Sequence, residues 1–212
     1  TGTLITPTRV LTAAHCVVGS SPRGMTFITG PSNRQVQTRT PVVSLRPHPS
    51  YSPRSNANDI AYVDLASAPP SVEPIGILPA MDQSFVGVDL LHIGYGVSDG
   101  FRRTGGGTKR AVRMPTTQIG ATQFAYGDST RNTCFGDSGG PAVFESANGP
   151  LVAGVTSYGD ARCTSFGVNV RADVYADFLG VAVGTPAPAP TPEPTPTPEP
   201  EPVAALRILV TG

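Results

Sequence analysis

Charge is scarce in this sequence, and neither sign dominates. Asp, Glu, Lys and Arg make up 14% of 212 residues, and the formal net charge is +0. Such a chain has no basic field to attract nucleic acid. Long apolar runs are missing too: none approaches the roughly 18 residues of a membrane-spanning helix. No loop has the acidic density of a calcium site, and no metal or cofactor is expected. No repeat of fixed period runs through the chain. The sequence as given opens with "TGTLITPTRV", strand-like and β-branched. Cysteine is rare, three in all, and an odd number leaves at least one without a partner in this chain.

Glycine (24) and proline (23) are plentiful, which favours short strands and turns over long helices. The segments "TLIT", "RVLTAAH", "MTFIT", "PVVSLRPH", "DIAYVDL", "VDLLHIGYG" and "PLVAGVTSYG" read as strands, separated by Gly, Pro, Asn or Asp. Only Ala172 to Val183 has helical spacing, with Val174, Phe178 and Val181 on one face. The expected fold is all-β and antiparallel, a sandwich or a pair of barrels, with one late helix. Composition breaks near Gly184. Residues 185–202 place proline at every second position, the pattern of a polyproline II spacer reaching about 50 Å or of a plain disordered tail. Residues 203–212, "VAALRILVTG", read as the start of a second module. The expected organisation is a domain over 1–184, a linker over 185–202 and a further module from 203.

The chemistry concentrates in "CFGDSGGPAV", Cys134 to Val143. A Gly-rich run between apolar residues is commonly only a tight loop. The same residues could also expose the Ser138 hydroxyl beside backbone N–H groups, the parts of a nucleophile and an oxyanion hole. Serine needs a base, most often histidine. The candidates are His15, His48 and His92, and all precede Ser138. That order excludes the G-x-S-x-G elbow of α/β-hydrolases, whose histidine follows its serine. His48 and His92 read as ordinary surface or core histidines. His15, in "VLTAAHC", is followed by Asp59 at the head of the apolar strand "DIAYVDL", where a buried carboxylate needs a partner. A carboxylate on the far imidazole nitrogen would fix its tautomer, and the order His15, Asp59, Ser138 is the one the chymotrypsin triad shows.

On these three motifs the chain resembles the trypsin-like, chymotrypsin-fold serine proteases. "TSYG" is similar to that family's cleft strand, and "GVNVRADVYADFL" to its closing strand and terminal helix. The resemblance covers about residues 1 to 183. It implies two six-stranded antiparallel β-barrels with a C-terminal helix and the active site in the crevice between them. It implies a serine endopeptidase acting on proteins or peptides through His15, Asp59 and Ser138, or, with catalysis lost, a binding module on a stalk. Gly136 and Ser138 match the oxyanion donors. Asn132 matches the floor of the primary specificity pocket, Ser157, Tyr158 and Gly159 its cleft strand, and Gly159 and Gly167 its walls. Cys134 and Cys163 match the disulfide beside that pocket.

The partner of Cys16 would stand just before Thr1, so the sequence is expected to begin inside its domain, with the N-terminal part truncated. Asp137 matches the acceptor of the ammonium freed on activation, and without that ammonium the chain is expected to be a poor enzyme unless Arg131 or Arg162 substitutes. Tyr158 stands where the family usually has tryptophan, and no glycine immediately precedes Cys163. A neutral Asn132 and side-chain-free walls lead to an expected preference for bulky apolar or uncharged polar residues before the cleaved bond, with Asp128 and Asp160 as alternative sources of charge. Disulfides point outside the reducing cytosol, so the protein is expected to be a secreted or cell-surface monomer.

Overall fold

Alternation of apolar and polar residues builds two antiparallel sheets, as in Ala61–Leu65, where Ala61, Val63 and Leu65 are buried and Tyr62 and Asp64 only partly so. The computed structural model describes residues 1–184; the expected linker 185–202 and the module from 203 lie outside the described residues. The first sheet joins β1 (Thr3–Thr6), β2 (Arg9–Thr12), β3 (Thr26–Thr29), β4 (Thr38–Pro47) and β5 (Ala61–Leu65) in the order β1-β2-β5-β4-β3. β4 pairs with β3 through residues 38–41 and with β5 through 42–47. A register shift between Val42 and Ser44 bends the strand, as a bulge does, and curls the sheet.

The second sheet contains β6 (Gly76–Ile77), β7 (Asp89–Gly94), β8 (Arg110–Ile119), β9 (Gln123–Tyr126), β10 (Pro141–Ser146), β11 (Gly149–Gly159) and β12 (Gly167–Arg171). Its order is β10-β7-β8-β9-β12-β11, and β11 pairs back onto β10. That pairing closes a six-stranded barrel, with the short β6 added parallel to β11. The architecture is therefore a closed barrel beside a curled half-barrel. Among the described residues the half-barrel has five strands, with β1 and β3 at its edges. Its open side forms a groove lined by Leu4, Val10, Val42 and Val63, with the free Cys16 at its wall.

Each sheet has its own core, and a third core joins them. Leu4, Val10, Val42, Val63 and Leu65 fill the half-barrel. Leu90, Met114, Phe124 and Tyr126 fill the closed barrel. Between the sheets Ile5, Leu11 and Ile60 meet Val152, Val155 and Val170, together with Tyr175 and Leu179. The site lies along this junction, so apolar burial sets its geometry.

The terminal helix is shorter than its periodicity predicts. A 3₁₀ turn at Asp173–Tyr175 leads into α1, Ala176–Leu179, and Gly180 ends it with φ +66°. The inward side chains are Tyr175 and Leu179, with Phe178 and Val181 against them, while Val174 is exposed. Glycine at that left-handed cap terminates the helix, so the expected run to Val183 does not form. Arg9 secures this end: it pairs with Asp64 at 2.8 Å, donates to the Leu179 carbonyl and stacks over the Tyr62 ring. The β8 strand was not anticipated because "RAVRMPTTQI" mixes two arginines and a proline into its pattern.

Close packing in the closed barrel is tested at Gly154. A Cβ there would stand 2.5 Å from Phe124 Cε1 and 2.6 Å from the Val170 carbonyl oxygen. Gly154→Ala is expected to cost about 1–3 kcal/mol through overpacking, read as a lower midpoint in urea denaturation.

Candidate active site

Asp59 is reached through a strained turn that asparagine makes accessible. Asn56 and Asn58 have φ of 53° and 54°, a left-handed conformation that asparagine tolerates better than most residues. The Ile60 N–H donates to the Asn58 carbonyl at 2.8 Å. The Asn58 side chain is pinned by Tyr175 Oη, which donates to its Oδ1 at 2.6 Å, and by its own bond to the Ser50 carbonyl. Asp59 then points inward at the head of β5, with no exposed surface.

Three donors meet its carboxylate. The His15 backbone N–H reaches Oδ1 at 2.8 Å, His15 Nδ1 lies 2.7 Å from Oδ2, and Ser157 Oγ donates to Oδ2 at 2.5 Å. His15 is carried by a 3₁₀ turn, Ala14–Cys16, immediately after β2. Ser157 comes from the other sheet. It occupies the register shift between Thr156 and Tyr158 on β11, and a bulge can re-aim a side chain in this way. Burial works to raise the Asp59 pKa, but the hydrogen bonds from His15 and Ser157 outweigh it and hold the carboxyl below its ordinary value. The Asp59 hydrogen bond, aided by Cys16, raises the His15 imidazole above 6.5 against the opposing effect of burial. The His15 side chain remains 34% exposed.

Ser138 sits on the loop that precedes β10. Gly139 has φ +79°, and a Cβ on it would collide with Thr12 and lie 3.2 Å from the Ala13 nitrogen. The loop therefore packs on the strand end that leads to His15. The Gly139 N–H donates to the Thr156 carbonyl, beside Ser157, and the Ser138 carbonyl accepts from the Thr1 nitrogen at 2.9 Å. The N–H groups of Asp137 and Gly140 are bonded within the loop.

The sequence model of the trypsin family, described as Trypsin, matches residues 1–179. A trypsin of Saccharopolyspora erythraea is 33% identical over 197 aligned positions, covering 84% of this chain and 84% of its own length. Serine protease 56 of Homo sapiens is 30% identical over 84% of this chain, and the match spans 33% of that protein. Phenoloxidase-activating factor 3 of Holotrichia diomphalia is 29% identical over 74% of the chain and 56% of its own length. The chain belongs to the trypsin family of serine proteases.

In this trypsin-family domain Cys134 and Cys163 form the expected disulfide, with Cα atoms 5.4 Å apart. It ties the segment before Ser138 to the loop after β11. Asp137 is half-buried and accepts from the Gly96 N–H and the Cys134 N–H, each at 2.8 Å. Gly94 and Gly96 make this approach possible, because a Cβ on either would run into the carboxylate. In the sequence both glycines read only as part of the strand-like segment "VDLLHIGYG". Arg131, named as a substitute partner for Asp137, instead pairs with Asp128 at 2.9 Å.

The residues expected to line the specificity pocket have separate local partners. Gly159 and Gly167 are paired across β11 and β12. Tyr158 donates to Gln123 at 3.3 Å. Asn132 Oδ1 accepts the Thr133 N–H, and its Nδ2 lies 3.5 Å from Asp160. The remaining histidines have other surroundings. His48 packs edge-on against Tyr175 and Phe178. His92 is buried against Tyr126, and burial pushes its pKa down to about 3.

The Asp59–His15 pair has a defined pH window. Because the folded His15 pKa is raised, its stabilising contribution is complete below 6.5 and is lost as pH rises through the folded value. Because the Asp59 pKa is depressed, its contribution is present above 3.8 and is lost as pH falls through the folded value. NMR titration of His15 is expected to give a midpoint above 6.5, and Asp59→Asn is expected to lower it. A parent midpoint at or below 6.5 would contradict the assigned pairing.

Proposed function

We propose that the domain is a serine endopeptidase in which Ser138 is the nucleophile, His15 the general base and acid, and Asp59 the group that orients His15. The observation that carries this reading is the bond between Asp59 and His15 Nδ1. It leaves Nε2 as the ring nitrogen free for proton transfer, on a partly exposed side chain just beyond the strand end against which Gly139 packs. Ser138 Oγ attacks the scissile carbonyl carbon as its proton passes to Nε2. Collapse of the tetrahedral intermediate breaks the C–N bond, and the same proton goes to the leaving amine. Water repeats the sequence on the acyl-enzyme. Asp59 keeps Nδ1 protonated and stabilises the imidazolium in the interval.

Developing negative charge on the carbonyl oxygen is assigned to the N–H groups of Gly136 and Ser138. In support, among the described residues neither N–H has an acceptor, whereas those of Asp137, Gly139 and Gly140 all do. Gly136 adopts φ +97° and approaches Gly96 so closely that a Cβ would stand 3.1 Å from its Cα. Asp137 is proposed as the acceptor of an activating ammonium. Its two backbone donors give it a defined orientation even without that cation. The disulfide favours an oxidising, extracellular setting, with residues 185–202 as a tether between the domain and a further module. Proteins or peptides are the proposed substrates, and the domain is proposed to act as a monomer.

A stalked binding module without catalysis is the competing reading, and it predicts no activated serine. A fluorophosphonate probe is expected to label Ser138 in the folded protein. Failure to label would favour the binding module. Ser138→Ala, His15→Ala and Asp59→Ala are each expected to lower kcat on peptide amides by about 10⁴- to 10⁶-fold, with the double variants no worse than the worst single one.

A further inference from the structure

A strip without side chains runs from the catalytic pair into the closed barrel and stops at one residue. Two positions beyond Ser157 on β11 is Gly159, which pairs with Gly167 on β12, and Gly167 pairs with Tyr126 on β9. Two adjacent glycines should leave an open slot. The structure fills it: a Cβ on Gly167 would stand 2.5 Å from Cζ and 2.6 Å from Oη of Tyr126. The end of the phenol ring therefore occupies the space that the Gly167 side chain would face.

Tyr126 is firmly held there. It has no exposed surface, and His92 braces its ring edge-on with centroids 4.0 Å apart. Its hydroxyl lies 2.6 Å from Thr133 Oγ1, in the segment that leads to Ser138. A substrate side chain entering between the glycines would have to displace a hydrogen-bonded ring from a packed core. The nearby carboxylates are engaged within their own loops: Asp160 accepts backbone N–H groups from Arg162, Thr164, Ser165 and Phe166, and Asp128 accepts from Thr130 and pairs with Arg131. Asn132 is held between Thr133 and Asp160.

We infer that Tyr126 closes the primary specificity pocket and restricts cleavage to bonds that follow short, uncharged side chains of about the size of alanine or valine. The inference rests on the serine-protease reading above. It reverses the expectation of bulky residues, because the room left by two glycines is taken by a ring from a third strand that sequence alone did not connect to them.

The experiment compares kcat/KM for peptide amides that differ only in having Ala, Val, Phe or Arg before the cleaved bond, using the processed protease, Tyr126→Ala and Tyr126→Phe. The parent is expected to favour Ala or Val over Phe and Arg by about 10- to 100-fold, the range a steric pocket provides. Tyr126→Ala is expected to shift the Phe-to-Ala ratio at least about tenfold towards Phe, and Tyr126→Phe, which keeps the ring, to leave it within about threefold. A parent preference for Phe or Arg overturns the inference whether or not the variants fold, and so does an unchanged ratio in folded Tyr126→Ala. Fluorophosphonate labelling separates the two levels. If Ser138 is labelled but side-chain size is not discriminated, only the role of Tyr126 fails; if the folded parent is not labelled, the protease reading fails and this inference falls with it.

Discussion

A carboxylate without access to water is the constraint around which this domain is arranged. Removing Asp59 from solvent would cost several kcal/mol unless every lone pair found a donor. The donors come from two separate sheets: His15 twice, from the turn after β2, and Ser157 once, from the bulge in β11. The relative placement of half-barrel and barrel is therefore tied to the satisfaction of one side chain. The apolar junction of Leu11, Ile60, Val155 and Tyr175 packs around it. Hydrophobic burial brings the sheets together, and the hydrogen bonds of Asp59 specify how.

The serine loop obeys a complementary rule, in which missing side chains do the positioning. Gly139 admits the loop against Thr12 and Ala13, and Gly94 and Gly96 admit the Asp137 carboxylate. Each close approach brings backbone N–H and C=O groups within bonding range of groups that a Cβ would hold apart. The disulfide from Cys134 to Cys163 anchors the same loop to the strand side of the barrel. Conformation here is set by backbone contacts.

The candidate residues were legible because the chemistry they suggest needs particular residue types in a fixed order. His15, Asp59 and Ser138 stand out as a base, a carboxylate and a Gly-flanked hydroxyl, and the order excluded a rival fold. Strands with clean alternation, such as β5 and β7, were legible for the same local reason. β8 was not, since its arginines and Pro115 break the pattern while its pairing with β7 and β9 holds it in the sheet. The late helix was overextended because periodicity continues past Gly180 although the backbone does not.

The sequence by itself determined the reaction class it resembles, the antiparallel β character and the residues able to move a proton, because these follow from side-chain chemistry and short-range pattern. Only the tertiary structure decided what those residues touch. It turned Ser157 onto Asp59, fitted Asp137 between two glycines and set the Tyr126 ring against Gly167, which lies 41 positions away in the chain (167 − 126). Such contacts depend on strand register and on bulges that shift it by one residue. Register is a property of paired strands, and no single segment encodes it alone.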